Sequence, residues 1–141
     1  MIDAELLRLR IEALLEYLVR VDRFKEMDRE RFMADPDTHH LAERYLQLAV
    51  EAALDIAHHI IADRGYGVPA SYREAFAILS RHGVMPPALS MRLQWWAGIR
   101  DMLVHGYLES DHGLAWDATQ GDLEDLCAWA ATAAAFLAEQ E

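Results

Sequence analysis

A chain of 141 residues with 53% apolar and 26% charged side chains is sized for one domain around one substantial core. No run approaches the roughly 18 apolar residues of a membrane span, and the single cysteine, Cys127, excludes an internal disulfide and a thiolate metal cage. A net charge of −11 argues against nucleic-acid binding through the overall field, although residues 64–100 stand apart with five arginines against one glutamate.

The start, Met-Ile-Asp-Ala-Glu, lacks the positive region of a secretory signal, so a cytoplasmic, non-membrane location is expected. Strand signals are absent, while apolar spacings of three and four recur throughout. A first helix is predicted over residues 3 to 31, with Leu7, Ile11, Leu14, Leu15, Leu18 and Val21 as its apolar stripe and a solvated tail from Asp22 to Arg31. Asp35-Pro36-Asp37 ends it, because the residue before proline is pushed out of helical conformation. A second helix is predicted over 39–64 with Leu41, Tyr45, Leu48, Ala49, Ala52, Ile56 and Ile60 inward, broken by Gly65-Tyr66-Gly67-Val68-Pro69. Ser71-Tyr72-Arg73-Glu74 reads as a capping box opening a short third helix that stops at Gly83.

Pro86-Pro87 sets the first turn of a fourth helix, where a missing N–H costs nothing. A fifth helix follows Ser110-Asp111, with Leu123, Leu126, Cys127, Ala130, Ala134 and Leu137 as its stripe and Gly121 as a bend or a split. The expected architecture is all-α: a single domain over 1–141, an antiparallel bundle of four long helices plus one short one.

The chemistry concentrates in Arg100-Asp101-Met102-Leu103-Val104-His105-Gly106-Tyr107. Arg and His are the pair that can grip a phosphate and move a proton near neutral pH, and Tyr107 adds a hydroxyl that can be modified. At about 100° per residue, Ser90, Gln94, Gly98, Asp101 and His105 share one polar seam of the fourth helix. Leu89, Leu93, Trp96, Ala97, Leu103 and Val104 form one apolar flank, and Trp95, Ile99 and Met102 another. A helix apolar most of the way round belongs at the centre of a bundle or at a contact between subunits.

Arg100 stands on the apolar flank, where a guanidinium needs a partner; Glu51 or Asp55 of the second helix could supply a structural ion pair. Asp101, one turn before His105, is placed to orient the imidazole. Arg100 and His105 point about 140° apart on an ideal helix. A site shared across a twofold contact is therefore the economical arrangement.

The spacing R-x4-H-x-Y, with Asp after the Arg and Leu-Val before the His, resembles the signature of HepT-like HEPN-domain proteins. The similarity extends over Glu43-Arg44-Tyr45-Leu46-Gln47-Leu48-Ala49-Val50-Glu51, over Leu54 to Ile60, and over Gly67 to Phe76. It implies a homodimeric HEPN helical bundle acting as the toxin of a toxin–antitoxin pair, a ribonuclease that cuts RNA without a metal or other cofactor.

Carried over by that resemblance, Arg100 stabilises the phosphate charge that develops during transfer, and His105 is the general acid/base. Tyr107 matches the position that a minimal nucleotidyltransferase antitoxin modifies with AMP. Asp101 departs from the asparagine frequent in the family and adds negative charge where a phosphate should bind. Two other readings stay open: a non-catalytic HEPN subunit that binds nucleotide or a nucleotidyltransferase partner, and a helical bundle with a purely structural dimer role.

His39-His40 and His58-His59 do not chelate by themselves, since adjacent helical residues diverge by about 100°. Asp55 and His59, one turn apart, could supply two ligands; no metal site is expected. His82 and His112 read as surface or cap residues. Trp95, Trp96, Trp116 and Trp129 read as core or dimer contacts, and Cys127 as a small core residue.

Overall fold

The computed structural model describes residues 3–105, 112–121 and 123–140. Seven helices and no strand are found among them: α1 (Ala4–Asp22), α2 (Arg29–Ala34), α3 (Pro36–Arg64), α4 (Tyr72–Arg81), α5 (Pro87–Val104), α6 (His112–Gln120) and α7 (Glu124–Gln140). The four long helices, α1, α3, α5 and α7, enclose one core, and α4 is the short helix expected between the second and third of them. None of the described helices is long and apolar enough to cross a membrane.

The predicted punctuation holds where its chemistry is local. Asp35 is extended at φ −111° and ψ 104°, and its carboxylate caps α3 by accepting from the Asp37 N–H at 3.1 Å and the Thr38 hydroxyl at 2.7 Å. The Thr38 hydroxyl, donating to the charged form, holds this carboxyl below its ordinary value. Gly65 ends α3 in the left-handed region at φ 67°, as a C-terminal glycine does. At α4, Ser71 Oγ accepts from the Glu74 N–H at 3.1 Å while the Glu74 carboxylate accepts from the Ala70 N–H at 2.7 Å. The reciprocal box is thus present, shifted by one residue on its return bond.

Several expectations are corrected. The long first helix is two helices separated by turns after Asp22, because Phe24 leaves the helical path to bury itself edge-on against Phe32, 6.4 Å between ring centroids. The tail expected to be solvated therefore contributes to a second small apolar cluster of Phe24, Phe32, Ala42 and Ala115. On α3 the buried face runs through His39, Ala42 and Leu46 rather than through Leu41, which is exposed; Tyr45 and Leu48 are half-buried. Leu15 on α1 is likewise exposed.

The fifth helix is split at Gly121 into α6 and α7, and α7 turns Trp129 inward while Cys127 faces solvent. Trp129 is fully buried, donates from Nε1 to the Ala53 carbonyl at 3.0 Å, and meets Phe76 edge-on at 6.3 Å. With Arg64 and Gln140 hydrogen-bonded at their ends, α3 and α7 run in the same direction. Arg8 and Ile11 at the start of α1 lie beside Leu137, and Leu18 at its end beside Leu123, so α1 is antiparallel to α7.

Helix α5 packs against α4, α3 and α7. Leu89, Leu93, Trp96, Ala97 and Ile99 are buried there, as the wheel required of its flanks. Ser90 is also buried and donates its hydroxyl to the Phe76 carbonyl at 2.9 Å, with Gln94 donating to Ser90 Oγ at 3.1 Å. Ser90 of the polar seam thus pins α5 to α4 and is itself held by Gln94, which sets the orientation of the residues further along α5.

Candidate active site

The seam between α3, α4 and α5 brings Arg100 to carboxylates. Its side chain is 16% exposed, and Nε and Nη2 both donate to Glu51 Oε1 at 3.3 Å while Nη1 donates to Asp101 Oδ1 at 3.3 Å. The guanidinium also lies over the Tyr72 ring, 4.6 Å from its centroid. These contacts explain how an arginine is tolerated on an apolar flank: its charge is balanced by carboxylates and sits over an aromatic ring. Glu51 is held in turn by the Gln47 amide at 3.1 Å.

A guanidinium offers five N–H donors in a fixed fork, and three are engaged here, so part of the fork remains for an incoming phosphate oxygen.

Beside this group opens a cleft of about 310 Å³ lined by Glu51, Leu54, Asp55, His58, Tyr72 and Arg100. His58 Nδ1 donates to the Leu54 carbonyl at 2.9 Å, and its ring meets Tyr72 edge-on at 5.9 Å. That bond fixes Nε2 as the acceptor of the neutral ring. On the neighbouring edge, the Arg73 guanidinium occupies the space that a side chain at Gly98 would need, so Gly98 admits Arg73 to the surface of α5. Counted by charge, Glu51, Asp55 and Asp101 outnumber Arg100 around the cleft.

Of the residues expected at the site, Arg100 and Asp101 are therefore together, and Glu51 is the ion-pair partner while Asp55 lines the cleft. The contact found for Asp101 is to Arg100. His105 caps α5, exposed at φ −86° and ψ 2°, its backbone N–H donating to the Asp101 carbonyl at 3.1 Å. Tyr107 lies outside the described residues. Sequence reasoning missed Tyr72 and Arg73, and weighed His58 only with His59 as a metal pair. The signal for Tyr72 and Arg73 was the basic island, together with the Ser71 capping box that fixes where they start α4.

The four tryptophans divide as expected of core and contact residues. Trp96 and Trp129 are buried, Trp116 is half-buried and donates to the Met27 carbonyl at 2.9 Å, and Trp95 is 48% exposed.

Comparison with known proteins bears on this arrangement. A "tRNA nuclease HepT" of Aphanizomenon flos-aquae is 28% identical over 110 residues, covering 78% of this chain and 75% of the relative. An "mRNA nuclease HepT" of Shewanella oneidensis is 35% identical over 80 residues, 57% of this chain, and the match spans 60% of the relative's length. Among solved structures, the tri-AMPylated Shewanella oneidensis HEPN toxin in complex with MNT antitoxin superposes with a TM-score of 0.82 at 27% identity, covering 96% of this chain and 99% of that one. The model of the family described as "Ribonuclease HepT-like" matches residues 14–132, which include α3, α4, α5 and the whole Arg100–Tyr107 segment, and the chain belongs to that family.

Proposed function

We propose that the chain is the toxin of a toxin–antitoxin pair: a cytoplasmic, homodimeric endoribonuclease silenced when a minimal nucleotidyltransferase antitoxin adenylylates Tyr107. The observation that carries this reading is Arg100, an arginine retained on an apolar helix flank, stacked on Tyr72 and facing a cleft, five residues before a histidine at the helix end. The nuclease names of the two HepT relatives and the AMPylated toxin–antitoxin complex of Shewanella oneidensis support it.

In the proposed reaction a ribose 2′-oxygen attacks the adjacent phosphorus as its proton passes to one His105 imidazole, and the bond from phosphorus to the 5′-oxygen breaks as that oxygen takes a proton. The products are a cyclic phosphate and a 5′-hydroxyl, and no metal is needed. Arg100 donates to the phosphoryl oxygens, where charge builds up in the transition state. One chain cannot easily aim both groups at a single phosphate, since their directions on α5 differ by about 140°. Two copies meeting along α5 would supply two arginines and two histidines. The exposed Met91 and Trp95, which share a face of α5 with half-buried Met102, support such a contact. AMP on Tyr107, two residues beyond His105, adds an anion that repels RNA from this site.

The carboxylates around Arg100 favour one competing reading, a HEPN subunit that binds its nucleotidyltransferase partner without cutting RNA. Expression decides between them. The wild-type chain alone should arrest growth and degrade RNA, and His105→Ala should do neither; harmless wild type overturns the nuclease. After co-expression with the antitoxin, mass spectrometry of peptides containing Tyr107 should show added AMP. Unmodified peptide in the presence of an active antitoxin and ATP overturns the modification.

A further inference from the structure

The first two turns of α3 hold a group of side chains that the Arg100 cleft does not use. His39, His40 and Glu43 each offer one ligand atom, and these atoms lie within 4.8 Å of one another. Adjacent helical residues diverge at their Cβ atoms, yet the two imidazoles tilt together, with ring centroids 4.4 Å apart. Both turn Nδ1 toward the same carboxylate: His39 Nδ1 is 3.8 Å from Glu43 Oε1 and His40 Nδ1 is 3.3 Å from Glu43 Oε2. A tetrahedral ion with ligand bonds of about 2.0–2.2 Å spaces its donors roughly 3.4 Å apart, so small side-chain rotations bring the three into register.

Burial sharpens the case. His39 is 5% exposed and packs against the Phe32 ring of α2 at 6.3 Å, and the Glu43 side chain is 15% exposed, so two of the three donors have little freedom to swing away. His40 is exposed. The positive end of the α3 dipole disfavours a cation, but Asp35 and Asp37 stand in the same turn and offset it.

We propose that His39, His40 and Glu43 bind one divalent transition ion of the zinc class, through two imidazole nitrogens and one carboxylate, with water completing the shell. Two imidazoles and a carboxylate suit borderline ions such as zinc, cobalt or nickel over magnesium or calcium, which take oxygen donors. All three ligands lie on the first two turns of α3, and His39 packs on Phe32 of α2. The ion sits eight residues from Glu51, about 12 Å along the helix, and no ligand of the ion is a residue assigned to the proposed cleavage, so metal binding and cleavage are read by separate assays.

The test uses the tag-free, chelator-stripped full chain. Cobalt should produce visible d–d absorption that saturates at one ion per chain and is displaced by zinc. Zinc at a hundredfold excess over its dissociation constant should raise the Tm by roughly 5–10 °C. His40→Ala, a change at an exposed position, should weaken binding by at least about tenfold and cut the Tm shift at the same zinc concentration to about half or less, and Glu43→Gln should do the same. No saturable cobalt spectrum in the wild type overturns the site. Wild-type affinity in a folded sample of either variant overturns it equally.

Discussion

Arg100→Lys is expected to lower RNA cleavage by about 10²–10³-fold while leaving the fold in place, because the lysine keeps one positive charge near Glu51 and loses the fork. The native guanidinium spends three donors on Glu51 and Asp101 and sits over the Tyr72 ring, which restricts the direction of the rest. A lysine ammonium is a point charge on a flexible stem and makes none of that geometry. Since Glu51 retains its Gln47 hydrogen bond and a nearby cation, melting should change little. Single-turnover cleavage of RNA beside a thermal melt checks both parts. Cleavage within a few-fold of wild type would show that Arg100 is an ordinary helix-to-helix ion pair.

The largest loss of stability is expected at Trp129. This side chain is fully buried between α3 and α4, fills the space beside Phe76 and spends its indole N–H on the Ala53 carbonyl. Trp129→Ala removes the apolar area, opens a cavity and strips the carbonyl of its indole donor, for a cost of about 3–5 kcal/mol. For a domain of this size that corresponds to a fall in Tm of roughly 10–20 °C. Urea unfolding checks it, and Trp129→Phe should recover part of the loss. A loss below about 1 kcal/mol would mean that α7 is not held through this residue.

What could be read from the sequence follows from how local the cause is. Ser71 with Glu74, and Gly65, act on their own backbone, so the boundaries they mark appear where expected; Asp35-Pro36 breaks the chain as expected, but α3 starts at Pro36 itself rather than at residue 39, because Asp35 caps it. The break after Asp22 has no glycine or proline to announce it; it exists because Phe24 finds Phe32, a contact that forms only once the chain has turned back. In α7 the many alanines give the wheel little contrast, so a stripe drawn through Cys127 looked as good as the one through Trp129 that forms.

The candidate site divides in the same way. A charged residue on an apolar flank demanded a partner, and Glu51 is that partner. Tyr72 as a stacking surface and His58 in the cleft depend on how α4 and α3 meet, which no spacing within one helix encodes. The pairing of His39 with His40 was missed for a different reason. A helical wheel places Cβ atoms, and side-chain rotation then brings two divergent rings to one carboxylate.

The central claim is that a HepT-like chain with an acid-flanked Arg100 cuts RNA through Arg100 and His105 without a metal. Incubation of purified, antitoxin-free protein with RNA in excess EDTA tests it most directly. The account predicts cleavage by the wild type, with a 5′-hydroxyl on the downstream product, and none by His105→Ala. Intact RNA with the folded wild type, or equal cleavage by the variant, would contradict it.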